Sequence, residues 1–211
     1  PHPPVYRQLL VTLRLLLPLS YVVSSTLGPY LPGAMTQLAV PVVWQAFLAS
    51  AWLAPRVAAF YILQRWQGWH GRWGLPIAGG TMILCGFAVA VLAPLTVHLG
   101  FSNWSATALL MCGLFLFGTG KATVYAGALY YAMEVGSAEV EAGGAHEALI
   151  GVGYTVGPLC GLLPTLALER GLLPDDRYFQ PIVLGTVSLI AAGVAVTVIR
   201  KIRYHTTQCG E

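Results

Sequence analysis

Apolar residues along this chain run in long blocks rather than in alternation with polar ones. Six blocks hold the roughly 20 residues that a helix needs to cross a hydrocarbon core: about Leu13 to Pro32, Ala39 to Leu63, Gly74 to Val97, Ser105 to Met133, Glu147 to Leu168 and Phe179 to Ile199. Their length, and the lack of a period of two, predict helices and not strands. Turn-forming stretches divide them at Pro32-Gly33, Gly68 to Gly71, Gly100 to Asn103, Gly136 to Gly144 and Pro174 to Asp176. The expected fold is an all-α integral membrane protein: a six-helix bundle over residues 13–199, a cytoplasmic loop end over 1–12, and a cytoplasmic tail over 200–211.

Composition sharpens this. The 211 residues are 56% hydrophobic and 9% charged, with a mean hydropathy of +0.70, whereas a soluble domain carries about 25% charged residues. So few charges cannot coat a soluble surface. The net charge of +3 is small and dispersed. Disorder, nucleic-acid binding and an ordinary cytosolic enzyme are therefore excluded. Cys85, Cys112, Cys160 and Cys209 lie far apart with no CxxC, so neither a disulfide framework nor a zinc site is expected, and no cofactor is implied. The opening Pro1-His2-Pro3-Pro4 has no Met and no signal layout, as expected of sequence that continues from further upstream.

Orientation follows from the basic residues. With both termini cytoplasmic, seven (Arg7, Arg14, Arg65, Arg72, Arg200, Lys201, Arg203) lie on the inner side and two (Arg170, Arg177) on the outer side. The positive-inside rule selects that arrangement, in a cell or inner membrane. The acidic connection holding Glu134, Glu139, Glu141 and Glu147 then lies inside, which the rule tolerates because acidic residues weigh little. Trp66, Trp69, Trp73 and Trp104 fall at span ends, where indoles anchor helices at the headgroups.

The two remaining cations, Arg56 and Lys121, fall inside spans. A charge at mid-bilayer costs at least about 2.5 kcal/mol, so both are expected to face protein or water. The third and sixth spans carry no charge and are expected at the periphery, with the second and fourth lining an interior. Lys121 lies roughly 18 Å from the polar end at Glu134, too deep for easy snorkelling. Tyr125 shares its face, and Gly118, Gly120 and Gly127 are expected to leave room around it. The reading is a functional cation, the alternative a structural lysine on carbonyls or a carboxylate. Arg56 follows Pro55, where a kink is expected, and forms a Gln45–Trp52–Arg56 stripe suited to an anion or an aromatic ligand. Snorkelling of Arg56 to the nearer interface is its alternative. On the first span, Tyr21, Ser24, Ser25 and Gly28 share one face, either lining a polar cavity or packing. Glu147 is expected in a first helical turn, where the dipole favours an anion. Glu134 is expected at a helix end that disfavours one, so a base such as Arg65 or Arg72 should compensate.

The fifth span is the most specific stretch. Gly153, Gly157 and Gly161 recur every four residues beside Pro158, a groove for close helix approach. With Gly144, eight residues before Gly153, the pattern resembles the Gly-Pro motif of major facilitator superfamily transporters, except that Leu162 stands where its final glycine would be. Six spans with both ends inside also resemble one six-helix half of that fold. The family's basic loop is degenerate in Arg65 to Arg72 and lacks its aspartate. The Pro-rich start and polar finish resemble the C-terminal half, helices seven to twelve, while the motif itself is more usual in the first half.

The resemblance implies a secondary carrier moving a small solute by alternating access. Its partners would be the bilayer and a second six-helix bundle, either a missing N-terminal half or a dimer mate. Lys121, Tyr125, Arg56, Trp52, Gln45, Tyr21, Ser24 and Tyr154 would contact a solute, anionic by the charge of Arg56 and Lys121. Gly144, Gly153, Gly157, Pro158 and Gly161 would pack or gate, and Glu134, Glu147 and Arg72 would couple protons or form an inner gate. A membrane-embedded enzyme is the second reading, though His2, His70, His98, His146 and His205 are scattered and form no catalytic set. A structural or sensory membrane subunit is the third.

Overall fold

A computed structural model describes residues 4–135, 140–173 and 178–208. All regular structure among them is helical: α1 (Pro4–Gln37), α2 (Val42–Ala49), α3 (Leu53–Arg65), α4 (Gly74–Leu92), α5 (Asn103–Val135), α6 (Val140–Glu169) and α7 (Phe179–Gln208), with 3-10 turns at Gln67–Trp69 and Ala93–Leu99. Six helical stretches are long and apolar enough to cross a membrane. The chain is thus an all-α protein with the build of an integral membrane protein.

Three helices outrun their apolar blocks. Residues 4–12, expected as loop, form the first turns of α1, where Leu9 and Leu10 are buried. The end of α7 extends through Gln208. Helix α6 starts at Val140, so Gly143, Gly144, His146 and Glu147 are helical, and Glu147 does not sit in the first turn. Hydropathy marks where a helix meets lipid, not where it stops. His2, Glu139, Asp175, Asp176, Arg177 and Cys209 lie outside the described residues.

The second span is broken into two helices. Its backbone tightens through Ser50 N–H to Phe47 O (3.2 Å), Ala51 N–H to Leu48 O (3.1 Å) and Leu53 N–H to Ser50 O (2.9 Å), and α3 starts afresh. Pro55 explains the place. It has no N–H for the Ala51 carbonyl and its ring would strike that carbonyl, whereas in a first turn it is tolerated. The expected kink is a break, located one turn earlier.

Core and periphery also depart from expectation. The apolar windows of α1 and α5 are 61% and 56% buried, while the second span's is 6% buried. The third span, expected at the periphery, packs backbone to backbone on α5. A Cβ at Gly86 would meet Phe117 N at 2.5 Å, one at Gly113 would meet Ala90 N at 2.6 Å, and one at Gly120 would meet Gly79 O at 2.8 Å. In lipid, association rests on packing rather than on water exclusion, and small residues permit it without regard to charge. The sixth span does lie outside, with open space beside Gly185 and Gly193. Trp69, at the span end where an indole anchor is expected, is buried against the protein. It donates to Leu63 O (3.1 Å) and packs edge-on against Tyr130, pinning the turn before α4.

Candidate functional site

Helix α5 places Lys121 near its middle, about 27 Å from one end and 21 Å from the other by helical rise. The residue is 1% exposed. Its Nζ donates to Ser24 Oγ at 2.8 Å and lies 4.1 Å from the Tyr21 ring centre, 5.0 Å from Trp52 and 5.8 Å from Phe117. Helical spacing supplies three of these partners: Tyr21 and Ser24 are one turn apart on α1, and Phe117 is one turn before Lys121. Trp52 arrives from the break in the second span. Its carbonyl rests against Gly118, where any Cβ would collide with it. The glycines expected to leave room around Lys121 are therefore filled: Gly118 by that carbonyl, Gly120 by α4, Gly127 by Leu75 and Leu13.

Arg56, one turn after Trp52, turns inward. Its guanidinium carbon lies 5.7 Å from the Trp52 ring centre, 5.5 Å from Phe60 and 5.8 Å from Tyr125, and its Nε is buried without a hydrogen-bond partner. Lys121 and Arg56 thus share one indole. Tyr125 in turn meets the edge of His146 at 5.1 Å, and His146 is 4% exposed with Nε2 unpartnered. Tyr154 packs edge-on against Tyr21 at 5.1 Å. The result is a chain of basic groups and rings, Lys121–Trp52–Arg56–Tyr125–His146, drawn from α3, α5 and α6 around the edge of Trp52. Among the described residues, no carboxylate contacts Lys121 or Arg56. Ring faces attract each cation by about 0.5–2 kcal/mol, short of the several kcal/mol that desolvating an ion costs. The arrangement is suited to an anion.

Seven of the expected contact residues gather here: Lys121, Tyr125, Arg56, Trp52, Tyr21, Ser24 and Tyr154. Gln45 does not. It sits on α2, where its Nε2 donates to Val40 O at 3.0 Å, because the break ends the stripe that a continuous helix would carry. Phe60, Phe117 and His146 were not foreseen. The first two lie one turn from Arg56 and Lys121. His146 precedes Gly153 and Gly157 by two and three turns, so extending the helix through the glycines would have put it on their face.

The glycine groove is real in part. Gly153 meets Tyr21 and Pro18, and Gly157 meets Ser25 and Val22, with backbone approach too close for a Cβ at either. Ser25 Oγ donates to Gly153 O (3.1 Å) and Thr26 Oγ1 to Gly157 O (2.9 Å), sealing α1 on α6. Gly144 and Gly161 face open space, and Gly161 with Pro158 lines a 340 Å³ cavity near Tyr30 and Phe179. Glu147 and Arg72 are exposed, and Glu134 is half-buried at the far end of α5. Arg65 lies over the Tyr61 ring at 4.4 Å. Among the described residues none of these four contacts Lys121 or Arg56, although Glu147 is near enough to act through space on Tyr21 and His146.

Comparison with known protein families, with curated proteins and with solved structures finds no match to this chain.

Proposed function

We propose that this chain is a membrane carrier for a small anionic solute, built as one six-helix half of a secondary transporter of the major facilitator kind. One observation carries the reading: two cations at mid-span, Lys121 and Arg56, share the Trp52 ring and have no carboxylate in contact among the described residues. Such charge in a bilayer marks a solute path, a proton relay or a water-filled cavity. An anion entering beside Trp52 would exchange ring faces for ion pairs and hydrogen bonds, which are stronger partners for both cations.

The broken second span supports movement. Its first half, α2, has no buried residue and can shift without tearing the core. Breaks of this kind at mid-span occur in the discontinuous helices of transporters. A second six-helix bundle, whether another part of the same polypeptide or a second copy, would close the path over the exposed side of Arg56. The excess of basic residues near the termini and the α3–α4 turn supports both ends being cytoplasmic.

Flux into vesicles reconstituted with the full chain tests the reading. Wild type should accumulate or exchange a small organic anion, and Lys121→Gln should abolish this while eluting as folded protein. Equal flux in both would refute it.

A further inference from the structure

The cluster holds two basic side chains, Lys121 and Arg56, and the charge of the solute decides how both are satisfied. Lys121 Nζ lies 5.0 Å and the Arg56 guanidinium carbon 5.7 Å from one ring centre, that of Trp52, which keeps the two groups within the combined reach of those distances. The hydrogen-bonding atoms beside them are Ser24 Oγ, which already accepts from Lys121, and His146 Nε2 across Tyr125, which has no partner. Neither brings negative charge, and the Glu147 carboxylate, near enough to act through space on Tyr21 and His146, contacts neither basic group. Arg56 Nε, buried and unpartnered, is a donor awaiting an acceptor.

Low-dielectric surroundings make charge count matter. Like charges in low-dielectric surroundings repel strongly, and each keeps its own desolvation cost. A monovalent solute would neutralise one cation and leave its neighbour bare. A divalent solute neutralises both and removes their mutual repulsion in one event. We infer that the solute is a divalent oxyanion bridging Lys121 and Arg56, with oxygens on Lys121 Nζ and Arg56 Nε. This rests on the carrier reading above and narrows it. Two chemistries share the property, a dicarboxylate and a tetrahedral oxyanion, and they are separable by experiment.

The test is equilibrium binding by titration calorimetry to the full chain in lipid nanodiscs at fixed ionic strength. Succinate and sulfate serve as divalent probes, lactate and chloride as monovalent ones. Wild type should bind at least one divalent probe about ten-fold or more tightly than either monovalent probe, at one site per chain. Preference for succinate over sulfate identifies a dicarboxylate site, and the reverse a tetrahedral one. Arg56→Gln should cost the favoured divalent probe about ten-fold while changing lactate by less than about three-fold, so that the preference collapses; Arg56→Lys should keep it.

Lactate or chloride binding as tightly as both divalent probes overturns the inference and leaves the anion carrier standing. So does a preference that survives Arg56→Gln. If no probe binds, or if binding is indifferent to both Lys121→Gln and Arg56→Gln, the carrier reading itself falls. The wild-type comparison needs no variant, so the inference is decided even if a substitution prevents folding.

Discussion

The Lys121 ammonium donates to the Ser24 hydroxyl at 2.8 Å, tying α5 to α1 in the middle of the bundle. A hydrogen bond to a charged group contributes about 1.5–3 kcal/mol. Ser24→Ala should therefore destabilise the protein by that order, because it strips a buried ammonium of its hydrogen-bond acceptor. Lys121→Met should remove the need for the hydroxyl. The double variant should be less destabilised than the two single changes added together, by about 1 kcal/mol or more in denaturant unfolding in micelles. Strict additivity would show that the contact carries no coupling.

Trp52 is the ring that both cations use. Trp52→Phe keeps a π face and should weaken binding of the solute anion only a few-fold. Trp52→Ala leaves both cations without it, at about 0.5–2 kcal/mol each, and should lower thermal stability as well. Equal behaviour of the two variants would mean that the indole acts through bulk alone.

The legibility of this site in the sequence was uneven, for physical reasons. Lys121 and Arg56 stand out because a charge in an apolar block needs a reason. Tyr125 follows from helical spacing, and Tyr21 with Ser24 from a shared face. The break at Ser50–Trp52 is silent, because hydropathy runs unchanged across it, and Pro55 fits either a kink or a new start. Gln45 was misplaced for that reason alone. His146 falls between the turn-forming stretch ending at Gly144 and the span expected from Glu147, although α6 runs straight through. The six spans themselves were legible, since bilayer thickness fixes the length of an apolar run. The α4–α5 contact was not: charge distribution says nothing about where glycines let two backbones touch.

The groove between α1 and α6 can be tested glycine by glycine. Gly153→Leu and Gly157→Leu should each prevent that packing, with losses of at least about 2–3 kcal/mol or failure to fold. Gly161→Leu and Gly185→Leu enter open space and should stay within about 0.5 kcal/mol. Fluorescence-detected size exclusion after heating ranks the four. Similar losses throughout would show that the groove has no special role.

Orientation is open to labelling in a cysteine-free background, which is needed because Cys85 and Cys112 are exposed on the helix sides. A cysteine placed at Asn103 should react with an impermeant maleimide added outside intact cells. One at Arg72, at the opposite end of α4, should react only after permeabilisation. The reverse pattern would turn the protein over in the membrane.

The backbone contact between α4 and α5 has a consequence at the level of the gene. Gly86, Gly113 and Gly120 each face main-chain atoms that cannot swing aside as a side chain would. Every missense change of a glycine codon adds a Cβ, so at these three places each one is a collision. Mutation should then be filtered hardest along a seam that carries no charge and touches no solute. Lineages descending from this chain should drift freely on the outer face of α7 while spelling the seam the same way.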